Sequence, residues 1–317
     1  MRPAVSLPDR SGEVPEEGGV VSKGKIVVGT AGGLRTADRV VLCDADVTAV
    51  TAADSGWWMV SGERDVLRIP DAGETAARID GPAGRCLIAD GGDLLIGTVE
   101  AHLLRLSGGS LEPVASFDRA DGRDAWYTPW GGPPDTRSLC RGADGTLYAN
   151  IHVGGILRSR DRGATWIPTV DIDDDVHQVL AHPTESGCVF AAAAIGLLRS
   201  VDCGETWVRE TEGLHATYAR AVAVAGDTLL LTASEGPKSR RAAVYRRPLA
   251  GGPFEHCSNG LPEWFDANID THRLAAADET AAFGTDDGRV FVSDDEGRTW
   301  ELADEKLSPI RAVAVEA

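Results

Sequence analysis

Four histidines spread over residues 152–272, His152, His177, His215 and His272, are the first residues whose type and placement suggest chemistry. Imidazole titrates near neutral pH and suits first-row metals, so the four form a candidate site for a divalent ion. No local ligand spacing supports that set, and the sequence names no cofactor. Arg137 and Arg220 offer bidentate donors to a carboxylate or phosphate. Trp264 offers a stacking face, and His177 with Asp266 could exchange protons near neutral pH. With Tyr218, these residues would make a pocket for a polar or anionic ligand. They lie far apart in the chain, so a repeated scaffold must bring them together.

That scaffold is written in an octet that occurs three times. Ser159 to Trp166 reads SRDRGATW, Ser200 to Trp207 reads SVDCGETW, and Ser293 to Trp300 reads SDDEGRTW. The first two copies are 41 residues apart and the next interval is 93, close to two repeats. A period in the forties means one small β-unit used many times. Each octet lies between two extended runs and predicts a hairpin tip. Asp161, Asp202 and Asp295 are placed to accept turn N–H groups, and Gly163, Gly204 and Gly297 to adopt positive φ. Trp166, Trp207 and Trp300 then cover the turn with an apolar face.

The pattern S-x-D-x-G-x-T-W resembles the Asp-box, or BNR repeat, of sialidases, sortilin-type receptor domains and photosystem II assembly propellers. The resemblance implies an all-β propeller of the sialidase-like or WD40/YVTN-like kind. It also implies that the octets are structural and sit on the face opposite the site.

Seven segments fit one template of four strands, A to D, with the octet between C and D. The clearest runs from His177 to Glu210; a degenerate copy from Tyr218 to Cys257 reads RPLAGGPF at the octet position. Lys25 to Leu42 supplies strands B and C but lacks strand A. SPIRAVAVEA, Ser308 to Ala317, resembles strand A and should close the ring on the first blade, removing both open edges. The expectation is a single seven-bladed propeller over residues 25–317 behind a flexible lead-in of residues 1–24. Six blades is the alternative count if Lys25 to Arg64 is irregular. LRIP, Leu67 to Pro70, matches the Arg-Ile-Pro signature of sialidase sites, yet the template puts it at a hairpin tip, where Arg68 is structural.

The template also sorts residues by face. Strand A starts, B–C turns and D–A connections lie opposite the octets, where propellers hold ligands around the axis. Aligned starts of strand A read Thr48, Arg85, Arg137, His177, Ala219, His272, Ile310 in one column. The next column reads Ala49, Cys86, Ser138, Gln178, Arg220, Arg273, Arg311. Alternation along a strand points only one column inward. Long D–A connections, Asp118 to Asp135, Arg209 to Tyr218 and Ser258 to Asp270, add His215, Trp264 and Asp266 to that face. The ligand-binding candidates are therefore Arg137, His152, His177, His215, Tyr218, Arg220, Trp264, Asp266 and His272.

Composition limits the partners. The chain of 317 residues carries 31 basic and 49 acidic side chains, a net charge of −18. That disfavours nucleic acid and anionic membranes, which need a basic surface. No apolar run approaches the roughly 18 residues of a membrane span. The N-terminal residues lack the apolar segment of a secretory signal, so the expected location is cytoplasmic. Six scattered cysteines show no zinc spacing and read as small buried thiols.

The functional expectation is a binding or scaffold propeller for a small molecule, glycan or peptide. A sialidase-like hydrolase is one alternative. The resemblance would then require arginines, a Tyr218–Glu235 nucleophile pair and an acid such as Asp266. A histidine-metal lyase or hydrolase, with His177 among the catalytic groups, is the other.

Overall fold

In the computed structural model, which describes residues 26–36, 40–53, 56–69, 75–238 and 240–316, strand runs between glycine-rich turns form seven four-stranded antiparallel sheets. Their innermost strands are Val47–Ala53, Gly84–Asp90, Thr136–Arg141, Val176–Ala181, Tyr218–Ala225, Leu274–Ala277 and Ile310–Val315. Each of the first six opens its own blade. The seventh, Ile310–Val315, pairs with Ile26–Thr30 and so belongs to the first blade, with Val313 opposite Val28. The ring therefore closes as expected, with seven blades. The lead-in at residues 1–24 lies outside the described residues.

Both faces of most blades are buried against neighbours, which is why strands such as Val189–Ala193 are apolar throughout instead of alternating. The core is divided among the seams between blades. One cluster joins Phe283, Phe291 and Trp300 to Leu230 and Val244 of the preceding blade; another joins Tyr148 and Ile156 to Val179 and Leu198. Close approach needs glycine at particular places. A Cβ on Gly284 would stand 2.3 Å from Ile310, and one on Gly97 2.5 Å from Thr136, each in the next blade's inner strand.

The three octets fold alike. Ser159 Oγ donates to Asp161 Oδ1 at 2.8 Å and accepts the Gly163 N–H at 2.7 Å. Asp161 in turn accepts the Thr165 N–H and hydroxyl at 2.8 and 2.7 Å. Ser200, Asp202, Gly204 and Thr206 repeat this set, as do Ser293, Asp295, Gly297 and Thr299. The residue before each glycine, Arg162, Cys203 and Glu296, also has positive φ, near 57–60°. Its carbonyl then faces the preceding blade and accepts from an arginine there. Arg105 reaches Arg162 O at 2.9 Å, Arg158 reaches Cys203 O at 2.8 Å, and Arg246 reaches Glu296 O at 3.4 Å. The octet is thus an inter-blade clasp as well as a turn.

Arg68, from the Arg-Ile-Pro match, lies at the octet-side end of Asp65–Ile69 with its guanidinium 5.7 Å over Trp58. Cys86, Cys140, Cys188 and Cys257 are buried and Cys203 half-buried, all unpaired.

Two outcomes follow from this architecture. Removing residues 308–317 strips the first blade of its inner strand and exposes sheet edges, so the truncated chain should aggregate; a soluble chain with a single cooperative melting transition would contradict the closure. In the octets the serine is buried, whereas Asp161 is exposed and Asp202 and Asp295 are half-buried. Ser200→Ala should therefore cost about 1–3 kcal/mol by orphaning the buried Gly204 N–H, and Asp202→Ala less. Denaturant unfolding of the two variants gives the ranking.

Candidate functional site

Six of the seven inner strands begin with a β-bulge, a break in register. Thr48, Arg85, Arg137, His177, Arg220 and Arg311 are the residues skipped by pairing as their strands begin. Arg273 stands at the same place, just ahead of Leu274. Such bulges re-aim a side chain and are common at ring mouths. They merge the two columns read from sequence. Arg220, Arg273 and Arg311 join Thr48, Arg85, Arg137 and His177, and Ala219, His272 and Ile310 drop out. The result is one ring of seven positions, five of them arginine, on the face opposite the octets.

Four of these arginines are matched by carboxylates. Arg311 pairs with Asp46 at 3.5 Å and Arg85 with Glu63 at 3.1 Å and Asp135 at 3.4 Å. Arg220 meets Asp270 through Nε at 2.6 Å and Nη2 at 2.5 Å, and Arg273 meets Asp286 at 3.2 Å. Arg137 is the exception: its Nη1 is buried and meets no acceptor among the described residues. Burial, and next the charge of Arg220, bring its guanidinium down to about 10.

Around Arg137 stand most of the expected residues. The imidazole of His177 is fully buried, and its Nδ1 donates to Ala219 O at 2.5 Å. That bond fixes the neutral tautomer with the free lone pair on Nε2. Nε2 lies 3.5 Å from Asp175 Oδ2, longer than a hydrogen bond, and His177 Nε2 and Asp175 Oδ1 are both unsatisfied. Burial holds His177 below its ordinary value. Burial pulls Asp175 upward, but His177, Arg137 and His152 outweigh it and hold the carboxyl below its usual range. His152 packs against the exposed ring of Trp130 at 4.8 Å and is brought down to about 4, by burial first and Arg137 second. Tyr218 lies 4.7 Å from the His177 ring and carries Arg220 on its own face at 5.4 Å.

His272 has a different part from the one expected. It adopts φ +65°, a costly conformation for a side-chain-bearing residue, and crosses to the fourth blade, where Nε2 donates to Arg137 O at 2.9 Å. Thr271 Oγ1 reaches His177 O at 3.0 Å and Arg220 O at 3.2 Å, while Gln178 Oε1 accepts the His272 N–H at 3.4 Å. This segment ties blades four to seven together across the axis. An axial cavity of about 290 Å³, lined by apolar residues of all seven inner strands, lies on its octet side.

The remaining candidates sit elsewhere. His215 accepts the Tyr245 hydroxyl at 2.5 Å and donates from Nε2 to Arg241 O at 3.1 Å. Trp264 packs on His215 at 4.6 Å and under Arg241 at 4.3 Å, and Glu235 pairs with Arg241 at 2.8 Å. These groups form an aromatic patch of the sixth blade, so Glu235 is turned toward Arg241 and not into a pair with Tyr218. Asp266 lines a shallow pocket of about 280 Å³ with Asn268, Asp270 and Arg273; the carboxylate facing His177 is Asp175. The four histidines do not converge, and no group of three or more metal-ligating side chains occurs among the described residues. Asp175 and Asp270 were missed. Both end the connection into an inner strand, and only the bulge alignment makes that position visible.

The fold is similar to several solved propellers. PorZ, a bacterial surface component of the type-IX secretion system of Porphyromonas gingivalis, matches 85% of this chain and 34% of its own at TM-score 0.61 and 12% identity. A GH74 enzyme of Niastella koreensis matches 90% of this chain and 47% of its own, at 0.57 and 13%. YCF48 from Cyanidioschyzon merolae matches 83% and 87%, at 0.56 and 16%. The chain thus spans less than half of the first two. At these identities the likeness is one of fold. No family model and no curated protein matches the sequence.

The neutral, buried histidines set a pH dependence. In the unfolded chain they protonate near 6.5, so the unfolded state binds more protons as pH falls from about 6.5 toward 4. Stability should be complete above that window and decline through it. Melting temperatures from pH 7.5 to 4 should fall less steeply for His152→Gln than for the wild type; parallel curves would show that His152 is not the titrating group.

Proposed function

We propose that this chain is a binding propeller of the Asp-box type that holds a ligand on the loop face beside Arg137. Three identical octet turns support the Asp-box part of this reading. The observation that carries the site is a group of unmet hydrogen-bonding atoms in one cluster. Arg137 Nη1 is a buried donor without an acceptor, and His177 Nε2 and Asp175 Oδ1 are buried acceptors without a donor. Native folds rarely leave such groups unpaired without a functional reason. A ligand bearing a carboxylate and a neighbouring N–H or O–H donor would satisfy all three. An amino acid or peptide offers both groups, as does an acidic sugar. The net charge of −18 supports a partner other than nucleic acid or anionic membrane.

The cluster supports binding more directly than catalysis. Tyr218 makes no hydrogen bond to a carboxylate among the described residues; burial raises its hydroxyl, and Glu235 pairs with Arg241. A cytoplasmic setting remains part of the proposal and rests on the unpaired thiols, which suit a reducing compartment. PorZ, a surface component, shares the fold, so the fold carries no compartment.

Calorimetric titration with glycylglycine, free amino acids and N-acetylneuraminate tests the reading. The responding ligand should lose about tenfold or more in affinity with Arg137→Met, the scale of one charged hydrogen bond, and be unaffected by Asp202→Ala. Equal affinity in folded Arg137→Met would remove the site from this cluster. Turnover of a fluorogenic sialoside would establish the hydrolase alternative instead.

A further inference from the structure

On the octet face, the seam into the sixth blade is built differently from those into the fourth, fifth and seventh blades, which carry the octets. In the sixth blade the octet is replaced by Arg247 to Phe254, RPLAGGPF, which lacks the serine, aspartate and threonine of the clasp. Where octets are present, the turn glycine packs on the preceding blade. Gly163 lies against Arg105 and Val114, Gly204 against Thr169, and Gly297 against Leu230. In the sixth blade a Cβ on Gly251 or Gly252 would meet nothing within 4 Å. That tip is held instead by an ion pair from Arg247 to Glu210 of the fifth blade. The seam left open is a cavity of about 840 Å³ between the fifth, sixth and seventh blades.

Two side chains that line this cavity, Arg199 and His182, each carry a buried nitrogen without an acceptor among the described residues. Arg199 occupies the strand position of Arg105, Arg158 and Arg246, whose guanidinium groups each reach the next blade's octet carbonyl. The sixth blade offers no such carbonyl, and the buried Nε of Arg199 has no acceptor among the described residues. His182 is 6% exposed. Its Nδ1 accepts the Thr184 and Glu185 N–H groups at 3.2 and 3.0 Å. In the neutral ring the proton is therefore on Nε2, which is buried and also unmet. The wall beside them is apolar, with Val224, Pro248, Leu249 and Ala276. At the rim, Glu185, Asp227 and Asp278 are exposed carboxylates.

We propose that this seam binds a monocarboxylate carried on an apolar body, with the carboxylate on Arg199 and His182 and the body against Val224, Pro248 and Leu249. A guanidinium and an imidazole N–H are suited to the two oxygens of one carboxylate. The rim acids disfavour more highly charged anions such as phosphate, because like charges repel. The apolar wall favours a chain longer than acetate. This site is separate from the loop-face cluster and does not rest on it.

Saturation-transfer NMR with the full chain tests the assignment, using hexanoate, acetate and hexanol as observed probes and inorganic phosphate as a competitor that displaces hexanoate. Hexanoate should bind more tightly than any of the other three. Arg199→Met keeps the aliphatic stem and removes a guanidinium whose buried Nε has no acceptor among the described residues and whose one side-chain neighbour by hydrogen bonding is the cross-strand Cys188, so the variant should stay folded and lose hexanoate affinity about tenfold or more. His182→Asn keeps an acceptor for the Thr184 and Glu185 N–H groups and removes the Nε2 donor. It should weaken hexanoate binding and is the deciding variant if Arg199→Met fails to fold. The proposal is overturned if hexanol binds as well as hexanoate, if phosphate binds better, or if the folded variants keep wild-type affinity.

Discussion

Face-to-face packing of seven sheets around one axis is the constraint on which the rest of this molecule depends. A sheet buried on both sides has no solvent face, so its strands become apolar throughout, and its edges must be closed or covered. The pairing of Ile310–Val315 with Ile26–Thr30 closes the ring at the inner edge of the first blade. Near the axis the inner strands crowd one another, which favours alanine and valine, as in Tyr218–Ala225 and Leu274–Ala277. The seams between blades are where the protein keeps its core and where mismatches in sequence become cavities.

The same crowding decides the chemistry at the two ends of the axis. On the loop face, six inner strands enter through a bulge, and five of the seven entry positions hold an arginine. Five arginines there would repel one another, and carboxylates answer four of them: Asp46, Glu63, Asp135 and Asp270 from adjoining connections, and Asp286 from Arg273's own blade. Arg137 has no carboxylate at ion-pair distance among the described residues; Asp175 and Asp270 act on it only through space, and His272 bonds its carbonyl instead. Burial then keeps His152, His177 and His272 neutral. A cluster of neutral rings around an unmatched guanidinium is suited to recognition of a ligand that brings its own charge.

On the octet face the logic is one of clasps. An octet turn holds a carbonyl out to an arginine of the preceding blade, and the tryptophan fills the space beneath, as Trp166 does against Phe117 at 5.1 Å. The sixth blade lost the clasp while the fifth kept its arginine. Arg199 thus marks the place where a repeat has departed from its own rule, and departures of that kind open space for a ligand without disturbing the ring.

Repetition made the architecture legible in one sequence. Three octets in one register established the period, and the period gave the blade count, the face on which each turn lies and the closing strand. The serine, aspartate, glycine and threonine of the octet bond within eight residues, so their contacts could be read locally. The site depended on contacts between blades, and these were decided only by the tertiary structure. A one-residue bulge moved Arg220 and Arg311 into the ring beside Arg273, and no pattern of apolar alternation records such a slip. His177 faces Asp175 rather than Asp266, and His272 spans the axis instead of lining it, because neighbouring blades set those distances. His215 and Glu235 were assigned to the right face but belong to the outer sixth blade, since the template fixes height along the axis and leaves distance from it open.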